Sequence, residues 1–454
     1  MRVLSAVDQL FLRLETRNQP MHIGGLFLFR LPDDADADFV GRLAEQMRTS
    51  QIPPSFPFNQ ILHRELFWQT DGRFDVEQHF RHIALPKPAQ MADLLTYVSQ
   101  EHSKLLNRHS PMWECHLIEG IAADGQAGQR FALYFKIHHA LIDGIAGLRL
   151  VQKSLSPTAD ERVSLPAWSL MTRKRHLIDS VLPTDQSLLR VAKQQTRALP
   201  AVGQALLRNV VERFDGDYVT TTQAPDSILN QKVSSARRLS AVSFELSRFR
   251  RVADAFGVSL NDVVLAVCSG ALRRYLLAQQ ALPRKPLIAF VPYSLRTDNS
   301  ASGNQLTFIL ANLATHLADP VERLQAIHAS TRNSKRRFAR LSQSSSIIYS
   351  ALAYSRAGLQ ILTGLFPEYR GFNLIISNVP GSKTPLYWHG AKLEALYPAS
   401  VVFNDQALNI TLCTYVDQMD FCIAACSKAV PHSERFLDYL AQELATLAAL
   451  VKSF

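Results

Sequence analysis

The stretch Phe131-Ala132-Leu133-Tyr134-Phe135-Lys136-Ile137-His138-His139-Ala140-Leu141-Ile142-Asp143-Gly144 contains a change of period that decides how the first half of the chain folds. Phe131, Leu133, Phe135 and Ile137 alternate, so these residues form a strand with one apolar face. Beyond Asp143-Gly144, Ile145, Leu148, Val151 and Leu155 recur at the spacing of one helix face. The paired histidines therefore stand where a strand gives way to a loop that opens a helix.

Adjacent side chains on extended chain point to opposite faces, so His138 and His139 do not share one metal ion or act as equivalent bases. One faces the reaction and the other is structural. Gly144 permits a tight turn or the close approach of another backbone. Asp143, four residues beyond His139, either acts on the imidazole or holds the loop through an ion pair; the spacing leaves both open. Loops carried on rigid strand ends are where catalytic groups gather. The chain has no GxSxG elbow, no GxxxxGK[ST] phosphate loop and no HExxH helix. A base without a protein nucleophile points to direct transfer between two bound substrates.

Working outward, 454 residues exceed one ordinary core, and two domains of roughly 200 residues each are expected. The first unit spans residues 1–156. Pro157, Pro166, Pro183, Pro200 and Pro225 punctuate a partly helical connection over 157–231. Within it, apolar positions from Leu188 to Phe214 alternate with Arg190, Lys193, Arg197, Arg208 and Arg213, giving helices that pack on the protein or lie on a membrane. The second unit, 232–454, opens a helix capped by Ser259 or Asn261 and carried by Val263, Val264, Val267, Leu272 and Leu276. Strands follow at 287–291, 306–313 and 372–376, then a hairpin of 407–416 and 419–425 turning at Asp417-Gln418. Both halves mix helices and strands, so the fold class is α/β (α+β).

Hydrophobic residues at 47% and charged residues at 19% describe a folded globular chain rather than a disordered one. No apolar run reaches the roughly 18 to 20 residues a bilayer requires, and Asp8 interrupts the N-terminus before any secretory h-region forms. A cytoplasmic protein is expected. Five cysteines, an odd number without a CxxC pair, are expected to be reduced and buried, with no zinc site at Cys422 and Cys426. A net charge of +10 and a pI near 9.4 favour polyanionic partners, whether nucleic acid, an anionic lipid surface or a phosphorylated cofactor, without choosing among them.

With His138, His139, Asp143 and Gly144 in place, the chain resembles the CoA-dependent acyltransferase superfamily that includes chloramphenicol acetyltransferase and nonribosomal condensation domains. Further motifs narrow the resemblance to bacterial wax ester synthase/acyl-CoA:diacylglycerol acyltransferases. Ser110-Pro111-Met112-Trp113-Glu114 resembles their PLW motif, Asn261-Asp262-Val263-Val264 their ND motif, and Ser377-Asn378-Val379-Pro380-Gly381 their NVPG motif. Asp8-Gln9-Leu10-Phe11, Met21-His22-Ile23-Gly24-Gly25 and Val291-Pro292-Tyr293-Ser294-Leu295-Arg296 fit the same family, so nearly the whole chain is covered. Met112 departs from the usual Leu, a volume-conserving change.

The resemblance implies two chloramphenicol acetyltransferase-like domains with an active-site tunnel between them. It implies acyl-CoA and a long-chain alcohol or diacylglycerol as substrates, no separate cofactor or metal, and no nucleic-acid partner. It also implies peripheral association with the inner face of the membrane or with lipid inclusions. His139 is then the general base, His138 and Gly144 support its loop, and Asp143 is structural through an arginine, for which Arg296 is the candidate. Asn261 either serves the oxyanion or caps its helix. Trp113, Asn378, Pro380 and Gly381 are expected to shape the substrate channel. Arg332, Lys335, Arg336, Arg337 and Arg340 form either a site for CoA phosphates or headgroups or a solvated basic face. Two rival readings remain: a condensation-type enzyme acting on carrier-bound acyl groups, and a non-catalytic lipid-binding module, against which the intact HHALIDG run argues.

Overall fold

The structure, a computed structural model, describes residues 2–123, 126–161, 165–170, 219, 223–294, 306–339 and 371–451. The chain begins with β1 (Arg2–Val3), α1 (Ala6–Leu14), β2 (His22–Arg30), α2 (Phe39–Arg48), β3 (Gln60–His63) and β4 (Phe67–Thr70). It continues through β5 (Phe80–Ala89), α3 (Met91–Ser103), β6 (Trp113–Ala123), β7 (Gln126–His138) and α4 (Gly144–Lys153). The second half holds β8 (Arg237–Glu245), α5 (Leu246–Phe256), α6 (Leu260–Ala278), β9 (Ile288–Ser294), β10 (Leu306–Asn312) and α7 (Pro320–Ala339). It closes with β11 (Leu374–Pro380), β12 (Tyr387–Trp388), β13 (Ala391–Ala399), β14 (Leu408–Tyr415), β15 (Gln418–Cys426) and α8 (Arg435–Val451).

Two six-stranded sheets dominate, in the orders β12-β13-β2-β7-β6-β5 and β10-β9-β11-β14-β15-β8, beside a small sheet β1-β4-β3. In the second sheet β11 runs parallel to both β9 and β14, as α/β crossovers require, and the outer strands are antiparallel. The expected hairpin is present as β14 and β15, with Val416 in the left-handed region at its turn. All five cysteines are free and buried.

β7 shows why its alternation was legible. Phe131, Leu133, Phe135 and Ile137 enter one apolar cluster, whereas Ala132 and Tyr134 enter the other. Both faces are buried, so the even-numbered side holds polar groups that need partners. α3 supplies them. Lys136 Nζ donates to the carbonyls of Glu101 and Lys104 at 2.9 and 2.7 Å, where the helix end leaves acceptors unmet, and Tyr134 Oη lies 2.7 Å from His102 Nδ1. Burial brings the Lys136 ammonium down to about 8 against the pull of Glu114 and Glu101. Glu101, Glu114 and His116 gather their ligand atoms within 4.8 Å, and Lys136, 3.7 Å from Glu114, already supplies the cation there.

Sequence order does not separate the halves in space. β12 and β13, from the second unit, complete the first sheet by antiparallel pairing of 392–399 with 24–30 on β2. The chain then crosses to the second sheet as β14. α3 locks the opposite side: Ser99 Oγ accepts the Leu239 N–H and Ser103 Oγ the Arg237 N–H of edge strand β8, both at 2.8 Å. An exposed ladder edge is thereby covered. Of the connection, residues 171–218 lie outside the described part. Trp168, just before them, stacks on Trp113 at 5.1 Å in the first unit's core.

Asp420 on β15 joins the sheets directly. Its Oδ1 accepts from Ser243 Oγ (2.6 Å) and its Oδ2 from the Leu396 N–H (2.8 Å) beside a bulge in β13. Burial pushes this carboxyl up to about 7 despite both bonds. A carboxyl raised in the folded state stabilises most when protonated. Its contribution is therefore present below the unfolded value near 4 and lost as pH rises through about 7. Asp420→Asn is expected to remove this component, so the stability difference between wild type and variant in urea titrations changes between pH 4 and 7. A pH-invariant difference would contradict it.

Candidate active site

Between the sheets lies a cavity of about 480 Å³, within the range of roughly 300–1,000 Å³ usual for ligand sites. One wall is Met21, Ile23 and Phe27 of the β2 segment with Phe135 and Ile137 of β7; α1 covers it with Leu10, Phe11 and Leu14. The opposite wall is Phe290, Phe308, Ile375 and Val379 from β9, β10 and β11, and the crossing segment contributes Ala399, Val401 and Phe403. Among the described residues the lining is apolar except for His139, Asp143, Ser377, Ser400 and Thr411.

The double histidine ends β7 as its period implied. The His138 N–H donates to the Met112 carbonyl and the His139 N–H to the Met21 carbonyl, each at 2.9 Å. The two side chains diverge. His139 lines the cavity, while His138 is fully buried behind it. The Ala140 N–H donates to His138 Nδ1 at 3.1 Å, so the proton of that ring sits on Nε2, 3.4 Å from Glu15 Oε1.

Desolvation lowers the His139 pKa from the ordinary imidazole value; a hydrogen bond to its own backbone and the Asp143 charge oppose this. The His139 side chain forms part of the cavity wall. Phe11 stacks on the ring at 4.1 Å between centroids and 14° between planes. An unprotonated imidazole on the wall of an apolar pocket can accept a proton from a bound hydroxyl.

Asp143 is the N-cap of α4, its Oδ1 accepting the Ala146 N–H at 2.8 Å, and it also borders the cavity. The loop-holding role is thus visible as a helix cap. Arg296, its expected ion-pair partner, lies outside the described residues. Gly144 begins the helix and lines the cavity.

Several expected channel residues are placed elsewhere. Trp113 is buried in the first unit's core, its Nε1–H donating to the Phe58 carbonyl at 2.8 Å and its ring stacked on His79 at 4.5 Å; it does not line the cavity. Asn261 lies in the first turn of α6 and off the cavity wall, and Ser259 is the cap. Its neighbour Asp262 is the organising group, accepting from Thr331 Oγ1 at 2.6 Å and contacting His328 Nδ1 at 2.8 Å. On β11 the odd residues Ile375, Ser377 and Val379 face the cavity, so alternation turns Asn378 away. Pro380 is exposed. Gly381 is required by backbone proximity: a Cβ there would sit 2.6 Å from the Thr414 carbonyl oxygen. The NVPG stretch therefore seats a strand whose Ser377 and Val379 do the lining. Of the basic cluster, Arg332 and Arg336 are exposed on α7, and Arg340 lies outside the described residues.

Sequence reading missed Phe11 and Glu15. The signal was present in α1, where Leu10, Phe11 and Leu14 form one apolar side and Glu15 follows as the C-cap.

Phe11→Ala admits water to the imidazole and relieves the burial that lowers its pKa. The titration midpoint of His139, followed by imidazole chemical shifts, is expected to rise toward 6.5. An unchanged or lower midpoint would rule out Phe11 as the desolvating group.

Comparison with known proteins agrees with this architecture. Residues 4–264 match the wax ester synthase/diacylglycerol acyltransferase catalytic domain, and residues 302–448 the WS/DGAT C-terminal domain. The O-acyltransferase WSD of Acinetobacter baylyi is 49% identical over 447 residues, 98% of this chain and 96% of the relative. The solved wax ester synthase/diacylglycerol acyltransferase from Marinobacter aquaeolei VT8 superposes with a TM-score of 0.82 at 41% identity, covering 100% of both chains. The first condensation domain of the calcium-dependent antibiotic synthetase shares the two-domain fold alone, with a TM-score of 0.59 at 14% identity over 99% of this chain and 96% of that one. The chain belongs to the wax ester synthase/diacylglycerol acyltransferase family.

Proposed function

We propose that this protein transfers a fatty acyl group from acyl-CoA to the hydroxyl of a long-chain alcohol or diacylglycerol, with His139 as general base. The observation that carries the reading is the desolvated imidazole of His139 on the wall of an apolar cavity. The imidazole takes the hydroxyl proton as the alcohol oxygen attacks the thioester carbonyl carbon. The tetrahedral oxyanion collapses, the C–S bond breaks, and the thiolate leaves with the proton His139 held. No cofactor enters this scheme, because CoA is the leaving group. Among the described residues Ser377 and Ser400 bring side-chain hydroxyls to the walls as donors for that oxyanion, whereas the Thr411 hydroxyl already donates to Asn409 Oδ1 at 2.7 Å.

Thiol release from palmitoyl-CoA should depend on added hexadecanol or dipalmitoylglycerol. In a folded His139→Ala variant it should fall by about 10² to 10⁴. Because desolvation lowers the base's pKa, the acid limb of the rate profile should lie below about 6.5. Absence of acceptor-dependent release from the wild type would overturn the reading in favour of carrier-bound acyl donors.

Both substrates partition into lipid, and the reading includes peripheral association with a membrane or lipid inclusion. Among the described residues no single helix is long and apolar enough to cross a bilayer. The small sheet and the loop beside it instead expose Val3 (60%), Leu66 (49%), Ile52 (43%) and Phe56 (40%), with the Arg2 guanidinium 4.7 Å over the Phe56 ring. β1 leads from this patch directly into α1, which covers the cavity. Apolar tips beside a basic group suit the headgroup boundary of a lipid surface. Phe56→Ser/Leu66→Ser is expected to reduce co-sedimentation with phosphatidylglycerol vesicles at least severalfold while leaving turnover of a short-chain thioester and alcohol intact. Equal sedimentation of variant and wild type would exclude this face.

A further inference from the structure

We infer that Glu15 is the positioning residue of the reaction, holding His138 and His139 in register through a single buried carboxylate. The inference rests on the general-base reading of His139. Glu15 does not line the cavity and touches no reacting atom. Its side chain is 2% exposed, and each oxygen is committed.

Oε1 accepts the Met21 N–H at 3.1 Å, and the Met21 carbonyl in turn accepts the His139 N–H at 2.9 Å. The same Oε1 lies 3.4 Å from His138 Nε2, a buried nitrogen that makes no hydrogen bond among the described residues and has this carboxylate as its polar neighbour. Oε2 lies 3.1 and 3.0 Å from the Nε and a terminal nitrogen of Arg108, whose guanidinium also donates to the Leu12 carbonyl at 2.7 Å. One group therefore ties together the end of α1, the start of β2, the loop before β6 and the turn that carries both histidines. α1, so anchored, sets Phe11 against the His139 ring.

A buried acid is tolerated only where partners replace its water. Burial raises the Glu15 carboxyl, and the His138, Met21 and Arg108 contacts together bring it below the ordinary carboxylate value. It is thus ionised at neutral pH, as suits an acceptor for the Met21 N–H and the Arg108 guanidinium. Glu15→Gln keeps one acceptor oxygen but turns an NH₂ toward Arg108, setting donor against donor. Glu15→Asp keeps the charge and retracts it by one methylene. Either change lets the histidine turn shift, and a displacement on the order of 1 Å in a reacting geometry costs about 10²-fold in rate.

The test uses the full-length protein with ¹⁵N-histidine labelling, thiol-release kinetics and thermal unfolding. For Glu15→Gln, kcat is expected to fall about 10²-fold with KM for palmitoyl-CoA within about twofold. The His138 Nε2–H resonance should be lost to exchange, and the His139 ring shifts should move. Glu15→Asp should show the same pattern in smaller degree, and it serves where the Gln variant fails to fold. Unchanged imidazole resonances and kcat in either folded variant would overturn the inference, as would a loss confined to KM or to the unfolding temperature. Wild-type protein that releases no thiol would instead overturn the acyl-transfer reading, and the imidazole resonances would still judge Glu15.

Discussion

An apolar cavity between two sheets would collapse under the hydrophobic effect unless other contacts set the separation of its walls. The segment from β12 to β14 is that constraint. β13 is hydrogen-bonded into the first sheet along 392–399, and nine residues after it ends the chain is laid down as β14 in the second. Ala399, Ser400, Val401 and Phe403, the crossing itself, become part of the cavity wall. Asp420 reaches from the second sheet to the Leu396 N–H, and Ser99 and Ser103 hold β8 against α3. The gap is thereby spanned by hydrogen bonds at several points and left open in the middle.

Within that frame the working imidazole is controlled from behind and from above. His138 accepts the turn's own Ala140 N–H at Nδ1 and sets Nε2 3.4 Å from the Glu15 carboxylate, so this histidine braces the strand end as a corner. Asp143 closes the other side of the turn as a helix cap. α1 supplies both the Phe11 lid and, at its end, the carboxylate that grips the corner. A helix at the extreme N-terminus is therefore a structural part of a site whose motif lies more than a hundred residues later.

How much of this was legible follows from which interactions are local. The alternation of Phe131 to Ile137 and the helical spacing after Gly144 depend on near neighbours, and β7, α4 and the placing of His139 came through intact. Lys136 and His138 fall between the alternating apolar positions, and both are buried, with carbonyls from the end of α3 receiving the Lys136 ammonium and the Glu15 carboxylate lying beside His138, all from far along the chain. Periodicity also says nothing of which strand pairs with which, so residues 387–399 gave no sign of joining the first sheet. Motif resemblance located the right strands more reliably than the right side chains. On β11 the cavity takes Ser377 and Val379 rather than Asn378, a distinction set by strand register alone. At Trp113 the indole is consumed by the core and by the Phe58 carbonyl.

The same apolar lining that admits an acyl chain also prepares the base. Desolvation by the surrounding side chains, Phe11 foremost by contact, disfavours the imidazolium before substrate arrives. Once an alcohol is bound, proton transfer creates a cation at His139 just as negative charge develops on the attacking oxygen and then on the acyl oxygen. In a space with few competing dipoles those opposite charges attract strongly, and Asp143, close enough to raise the imidazole's affinity for a proton, adds to the cation's stability. The balance accounts for a carboxylate kept at the edge of the site as a helix cap. Enough charge is present to favour the imidazolium that forms during transfer, and too little to protonate the base beforehand.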